Sequence, residues 1–440
     1  MIEETRPTST KSQASVFTNV FYCFQDELCN KKKDQHVEGM LSLYEASFYS
    51  FEDETILDEA RDFTSKFLKE YLNQNGDNLL SLQISHALEL PLNWRISRSE
   101  ARWFIEIYET QPNNIDVLLQ FAKLDFNILQ SIYQEDLKYS SRWWKRTVIG
   151  EKLAFVRDRL VESFVWNVGM NFKPEFGNFR KVIAMVNAFI TIIDDIYDVH
   201  GTLEELELFT KAIDRWGLNA MDSLPYYMKI SYHALYNFVS EVSFEILKET
   251  GYSITPYIKK AWTDLCKAYY LIEAKWYHSG YTPTFEEYLE NAWISISLNV
   301  VLTHAYFVIP HSFKTEDLVH LQEKSDIIRV SAMLICLAND LGTYKRENET
   351  GDIPKSVQCY MNETRASEEE ACEYVKSMMC TLWKMNKEAR TSSFSQSFID
   401  TAINFDRMAL LMYQHGDGHT SQDAAIQNRI ESLIWKPING

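Results

Sequence analysis

From Val37 onward, apolar positions recur at three- and four-residue intervals, and strand-like alternation is absent. The period predicts helices over Val37–Tyr49, Glu54–Asn73, Leu79–Leu88 and Ser97–Tyr108, with breaks at Asn75-Gly76-Asp77 and Pro91. Gln111-Pro112-Asn113-Asn114 is the expected domain boundary, dividing residues 1–112 from 113–440. A helix Ile115–Leu137 opens the second domain, and Trp143-Trp144 reads as a packing corner. Helices are expected at Phe155–Val168, Lys181–Tyr197 and Leu203–Trp216, the last capped by Thr202. Further ones are Tyr227–Thr250, Pro256–His278 and Thr284–Ile309, the latter bent at Ser295–Ser297. Ile327–Ala338, Glu368–Asn386 and Phe394–Gln414 complete the set, followed by a loop His415–Thr420. Residues 1–35 read as irregular. The pattern is that of an all-α protein of long packed helices.

Composition sharpens this. With 14 glycines and 10 prolines in 440 residues, few breakers interrupt the helices. Forty-four basic against 62 acidic residues leave a formal charge of −18. That excludes a nucleic acid or an anionic membrane as the main partner. An anionic small molecule would then need metal ions or a local basic cluster. Seven cysteines without Cys-x-x-Cys spacing indicate reduced thiols in an intracellular compartment. The first twenty residues have no apolar h-region, and Glu3 and Glu4 argue against a transit peptide.

Candidate chemistry sits where apolar runs end. Val182–Ile193, interrupted by Asn187 and Thr191, predicts a helix buried on nearly all sides. It ends in Asp194, Asp195 and Asp198. At helical spacing Asp194 and Asp198 share a face. Clustered carboxylates at a buried helix end are costly unless paired or bound to cations. An acidic turn is the plainer reading. Mg²⁺, which takes one or two carboxylates plus substrate phosphates, is the more economical one. A second run, Ile327–Ala338, leads to Asn339, Asp340, Thr343 and Glu347. Asn339, Thr343 and Glu347 stack on one face as three oxygen donors. Arg157 and Arg159 either pair with Asp158 or Glu162 or reach one anion. Lys345 and Arg346 either line a solvated face or meet phosphate.

Together, Asp194-Asp195-x-x-Asp198, Asn339-Asp340-x-x-Thr343-x-x-x-Glu347 and Arg157-x-Arg159 resemble the class I terpene synthases of plants. The likeness spans residues 37–434, and Ile193–Phe209 resembles the angiosperm monoterpene synthase branch. The resemblance implies a class I terpenoid helical bundle over 113–440, preceded by a shorter, structural N-terminal domain. It implies three Mg²⁺ or Mn²⁺ ions held by Asp194, Asp195, Asp198, Asn339, Asp340, Thr343 and Glu347. It also implies an allylic prenyl diphosphate held by Arg157, Arg159, Trp166, Lys345 and Arg346. Asp194 and Asp198 would drive ionisation, and Tyr413 and Asp417 would stand beside the site in a loop. Aromatic faces stabilise a carbocation without attacking it. Trp166, Phe189, Trp293 and Tyr413 are candidates, with Phe189 and Trp293 as readily plain core.

Two features depart from the family pattern. Cys336 stands three residues before the second motif, where the family carries a diphosphate-binding Arg. The tandem-Arg motif near the N-terminus is missing, and the N-terminal domain reads as partial. The expected activity is conversion of geranyl diphosphate to a monoterpene, mainly acyclic, plus diphosphate. The alternatives are a sesquiterpene synthase using farnesyl diphosphate and a catalytically silent homologue. The Asn339 motif argues against a trans-prenyltransferase. A monomer or weak homodimer in plastid stroma or cytosol, with no nucleic-acid or membrane partner, is expected.

Overall fold

The computed structural model describes residues 33–51, 54–76, 78–268, 272–310, 313–323, 325–350, 353–389, 392–414, 416, 428 and 431–439. It divides into two compact units, Met1–Arg95 and Ile96–Gly440. Among the described residues every regular element is helical. In the first unit α1 (Lys33–Ser47), α2 (Thr55–Gln74) and α3 (Leu79–Glu89) enclose Val37, Met40, Tyr44, Leu68, Tyr71 and Ile84. Glu45 closes the unit by accepting from Arg95 Nη2 at 2.9 Å and from the Leu92 N–H at 2.7 Å.

The second unit begins with α4 (Ser97–Glu109), so the compact units part before the Gln111–Asn114 loop. It continues through α5 (Asp116–Thr147), α6 (Leu160–Met170), α7 (Gly177–Asp194), α8 (Leu203–Arg215), α9 (Tyr226–Thr250), α10 (Thr255–Ala268) and α11 (Ala274–Ser279). Then come α12 (Phe285–Ser295), α13 (Leu298–Val308), α14 (Thr315–Gln322), α15 (Asp326–Thr350), α16 (Ser356–Thr364), α17 (Glu368–Ala389) and α18 (Gln396–Tyr413). Helices α7, α6, α18, α15 and α13 pack in that order, and α13 returns to α7, so they form a closed ring.

Individual contacts fix the directions. Trp166 meets Tyr413, whereas Met170 O accepts from Asn404 and Asn171 meets Thr401, so α6 and α18 are antiparallel. Gly169 lies so close to Met408 that an added Cβ would stand 2.1 Å from the sulfur. Ser331 bonds Asp406, and Gly342 abuts Tyr413, so α15 runs parallel to α18. The start of α6 lies by the end of α7. One end of the ring therefore gathers the termini of α6, α7 and α18 and the 339–347 stretch of α15.

Several boundaries differ from the sequence pattern for local reasons. The helix begun at Ile115–Leu137 runs on through the tandem tryptophans to Thr147. Trp144 is buried there, and Trp143 packs edge-on against Phe189 and Phe238. The expected bend at Ser295–Ser297 is a full break, because Ser297 takes the left-handed region at φ +67°. Thr202 caps α8 in a capping box with Glu205, as expected. The polar interruptions of the apolar run are satisfied internally: Asn187 donates to Asn167, and Thr191 donates to the Asn187 carbonyl.

Arg180, fully buried at the start of α7, was not legible from spacing. Its Nε and Nη2 donate to Asp136 of α5 at 3.0 and 2.8 Å. Its Nη1 donates to the carbonyls of Asn171 and Lys173. Removing one partner of a buried pair strands the other charge. Arg180→Met is expected to lower unfolding free energy by ~3–5 kcal/mol, read as an earlier urea midpoint with an unchanged slope.

Candidate active site

The organising run folds as α7, but regular α-geometry stops at Asp194. Asp195–His200 widens into a π-helical turn, a feature that recurs at functional sites. The widening sends the two neighbouring carboxylates to different surroundings. Asp195 turns inward and is 1% exposed. Its Oδ2 accepts from the Arg157 N–H at 2.8 Å, and its Oδ1 accepts from Arg157 Nε at 2.6 Å. Burial pushes the Asp195 carboxyl up, and the bonds from Arg157 oppose that rise. Arg157 also donates through Nη2 to Asp194. Asp194 is half-buried and Asp198 is exposed. One arginine thus holds the aspartate motif from 37 and 38 residues upstream.

The second motif lies within α15 rather than beyond its end, because the helix continues to Thr350. Asn339 is half-buried, and Thr343 is buried and donates to the Asn339 carbonyl at 2.9 Å. The Glu347 side chain lies outside the described part. Asp340 is rotated off this face into the core. Its Oδ1 accepts from Tyr288 Oη at 3.0 Å, and its Oδ2 accepts from the Ser356 N–H at 3.1 Å. Burial raises its carboxyl, and the bonds from Ser356 and Tyr288 counter that. Cys336 is buried beside it, with Sγ 3.8 Å from Tyr288 Oη and 3.9 Å from Asp340 Oδ2.

Of the cationic candidates, Arg159 bonds Glu162 at 3.2 Å, the surface pairing weighed from sequence. Lys345 reaches Glu368 of α17 at 3.1 Å and is drawn away from the Asn339–Thr343 face. Arg346, two turns beyond Asn339, is exposed. Trp166 is buried against Phe405 and Tyr413, with ring centres 4.9 and 6.1 Å away. Phe189 joins Trp143 and Phe238 in plain core. Trp293 lies under the Arg329 guanidinium, 5.7 Å from its ring centre. Asp417 lies outside the described residues.

The donor set suits a hard divalent cation. Asp194 and Asp198 offer accessible carboxylates, and Asn339 and Thr343 offer neutral oxygens at the same end of the ring. Among the described residues no three acidic, His or Cys side chains converge into a closed cage. Open, partial ligation of this kind leaves positions for water and substrate phosphate, as Mg²⁺ prefers. Spacing missed Tyr288 and Ser356, which hold Asp340 from 52 residues before it and 16 after it. No local signal marks either one.

Comparison with known proteins decides the family. A family model described as "Terpene synthase family, metal binding domain" matches residues 145–385, and "Terpene synthase, N-terminal domain" matches 12–88. Terpene synthase 10 of Ricinus communis is 52% identical over 429 residues, covering 96% of this chain and 78% of its own. The chain belongs to the terpene synthase family. The resemblance drawn from the two motifs therefore holds, and so does the all-α fold. A chloroplastic myrcene synthase of Quercus ilex is 51% identical, covering 96% of this chain and 72% of its own. Isoprene synthase of grey poplar, crystallised with three Mg²⁺ ions and dimethylallyl-S-thiolodiphosphate, superposes with a TM-score of 0.89 at 41% identity. That match covers 97% of this chain and 87% of the poplar chain. As a member of this family, the chain is a divalent-metal-binding lyase.

Two substitutions test the site. Arg157 donates to Asp194 and would compete with a cation ligated there, so Arg157→Gln is expected to tighten Mn²⁺ binding about fivefold without substrate. That is the ~1 kcal/mol of a half-exposed ion pair, and titration calorimetry reads it directly. Unchanged or weaker binding would remove Asp194 from the ligand set. Cys336→Arg would set a guanidinium beside Asp340. It is expected to tighten binding of inorganic diphosphate by roughly 1.5 kcal/mol or more, whereas Cys336→Met leaves it unchanged. A folded Arg variant with no gain would show that diphosphate does not reach this slot.

Proposed function

We propose that this terpene synthase ionises geranyl diphosphate and releases an acyclic monoterpene plus diphosphate. The observation that carries the reading is the convergence of Arg157, Asp194 and the Asn339–Thr343 face at one end of a ring whose wall carries Trp166. Asp194, Asp198, Asn339, Thr343 and Glu347 would hold Mg²⁺ or Mn²⁺, three ions by family pattern. Bound there, divalent ions neutralise charge on the departing diphosphate without proton transfer. Arg157, Arg159 and Arg346 orient the same anion by charge-assisted bonds. Asp195 and Asp340 act as positioning groups: one seats Arg157, and the other ties α15 to Tyr288 and the start of α16. Trp166 and Tyr413 present aromatic faces to the carbocation, and the burial of Trp166 helps keep water from it. Tyr413 with Asp417, or the released diphosphate, takes the final proton.

The monoterpene reading is supported by the 51% identity to the Quercus ilex myrcene synthase. The chloroplastic name of that relative supports a plastid location. Purified protein with Mg²⁺ and geranyl diphosphate is expected to yield myrcene-, ocimene- or linalool-type volatiles by gas chromatography. Asp194→Ala is expected to abolish them with helix content intact by circular dichroism. A mainly cyclic profile would overturn the product class. Turnover of farnesyl diphosphate alone would overturn the substrate, and full activity of the alanine variant would overturn the metal assignment.

A further inference from the structure

Toward its C-terminal end α5 borders a groove that the proposed chemistry does not use. Lys138, Arg142 and Lys145 line it from one face of α5, spaced four and three residues apart. Leu137, Val161 of α6 and Trp435 of the C-terminal segment supply its apolar surface. The groove holds about 460 Å³, within the range of small-molecule sites, and lies wholly in the second unit. No residue of the Asp194 or Asn339 motif lines it.

Two features of this groove need a cause beyond folding. The first is its wall. The carbonyls of Ser432, Ile434 and Lys436, on either side of Trp435, accept five bonds of 2.6–3.0 Å from Arg102, Gln130 and Gln134. The backbone there is fixed, yet the indole stays 41% exposed. A large aromatic ring carried on fixed backbone is a preformed contact surface that loses little entropy when it is covered. The second is charge. In a chain of −18, three cations meet here. The negative end of the α5 dipole accounts for Lys145 in the last turn, but that effect fades within the turn. Lys138 pairs with Glu135 at 2.6 Å. Among the described residues Arg142 and Lys145 make no ion pair.

We infer that the groove binds an amphipathic organic anion, a phosphate ester of a hydrocarbon chain. Its head lies on Arg142 and Lys145, and its chain lies along Leu137, Val161 and the Trp435 indole. A guanidinium fork takes two phosphate oxygens at once, and a lysine adds a point charge. The lining favours a hydrocarbon over a nucleobase. Its only uncharged polar side chains are Gln134 and Ser141, and Gln134 Nε2 already donates to the Ile434 carbonyl. The inference is independent of the proposed chemistry, because no divalent ion takes part in it.

Calorimetric titration of the full chain with geranyl phosphate in EDTA tests it, since removing divalent ions silences a metal-dependent site. One equivalent is expected to bind. Arg142→Ala and Trp435→Ala, both at exposed positions, are each expected to weaken binding about tenfold with helical signal intact. Inorganic phosphate, which lacks the chain, is expected to bind at least about tenfold more weakly. Decyl phosphate separates two sources of the same chemistry. Equal binding assigns the groove to hydrocarbon phosphates at large, and a preference for geranyl phosphate assigns it to isoprenoids. Tighter binding of adenosine monophosphate than of either overturns the ligand class. Absence of binding, or binding that both variants leave unchanged, overturns the site.

Discussion

Two arginine–aspartate pairs hold α7 at its ends, and the placement of everything chemical follows from them. At the start, Arg180 and Asp136 lock the helix to α5 inside the core. At the finish, Arg157 fills the space beside a nearly inaccessible Asp195. A helix as apolar as α7 has no solvated face to set its rotation. Charges buried at known points do so instead. Each pair is also directional, because a guanidinium fork accepts few orientations of its partner.

The second pair has a further property. Arg157 touches an inward carboxylate and an outward one at once. The inward bonds are shielded from water and persist. The outward contact with Asp194 is half-exposed and weak by comparison. On the proposed reading, a cation would take Asp194 while Arg157 keeps its seat on Asp195. The guanidinium would then face the anion brought with the cation. Neither step requires the helix to move.

Much of this was legible in the sequence, and the limits have physical causes. Periodicity gave most of the long helices, because each buries an apolar stripe, and missed the short Thr315–Gln322 and Ser356–Thr364. The two motifs were visible because each follows a long, largely apolar run. Asp340 was grouped with the oxygen donors because it adjoins Asn339 in sequence. On a helix, adjacent residues point about 100° apart, and the structure turns Asp340 to Tyr288. Spacing also could not show the widened turn at Asp195, since apolar content is the same in either coil. Arg180 was hidden for another reason: a buried arginine looks like any other until its partner, 44 residues away, is placed.

The ring separates two tasks along the length of the same helices. Charged and polar oxygens occupy one end of α7 and α15, while the stretches behind them are hydrocarbon and aromatic. Exchange of one apolar side chain for another in those stretches alters the shape available to a folded isoprenoid chain and leaves the ion-handling end untouched. The close passage of α6 over α18 at Gly169 and Met408 keeps the backbone spacing fixed during such exchanges. A lineage built on this plan can drift between products by single substitutions, with its ionisation chemistry conserved throughout.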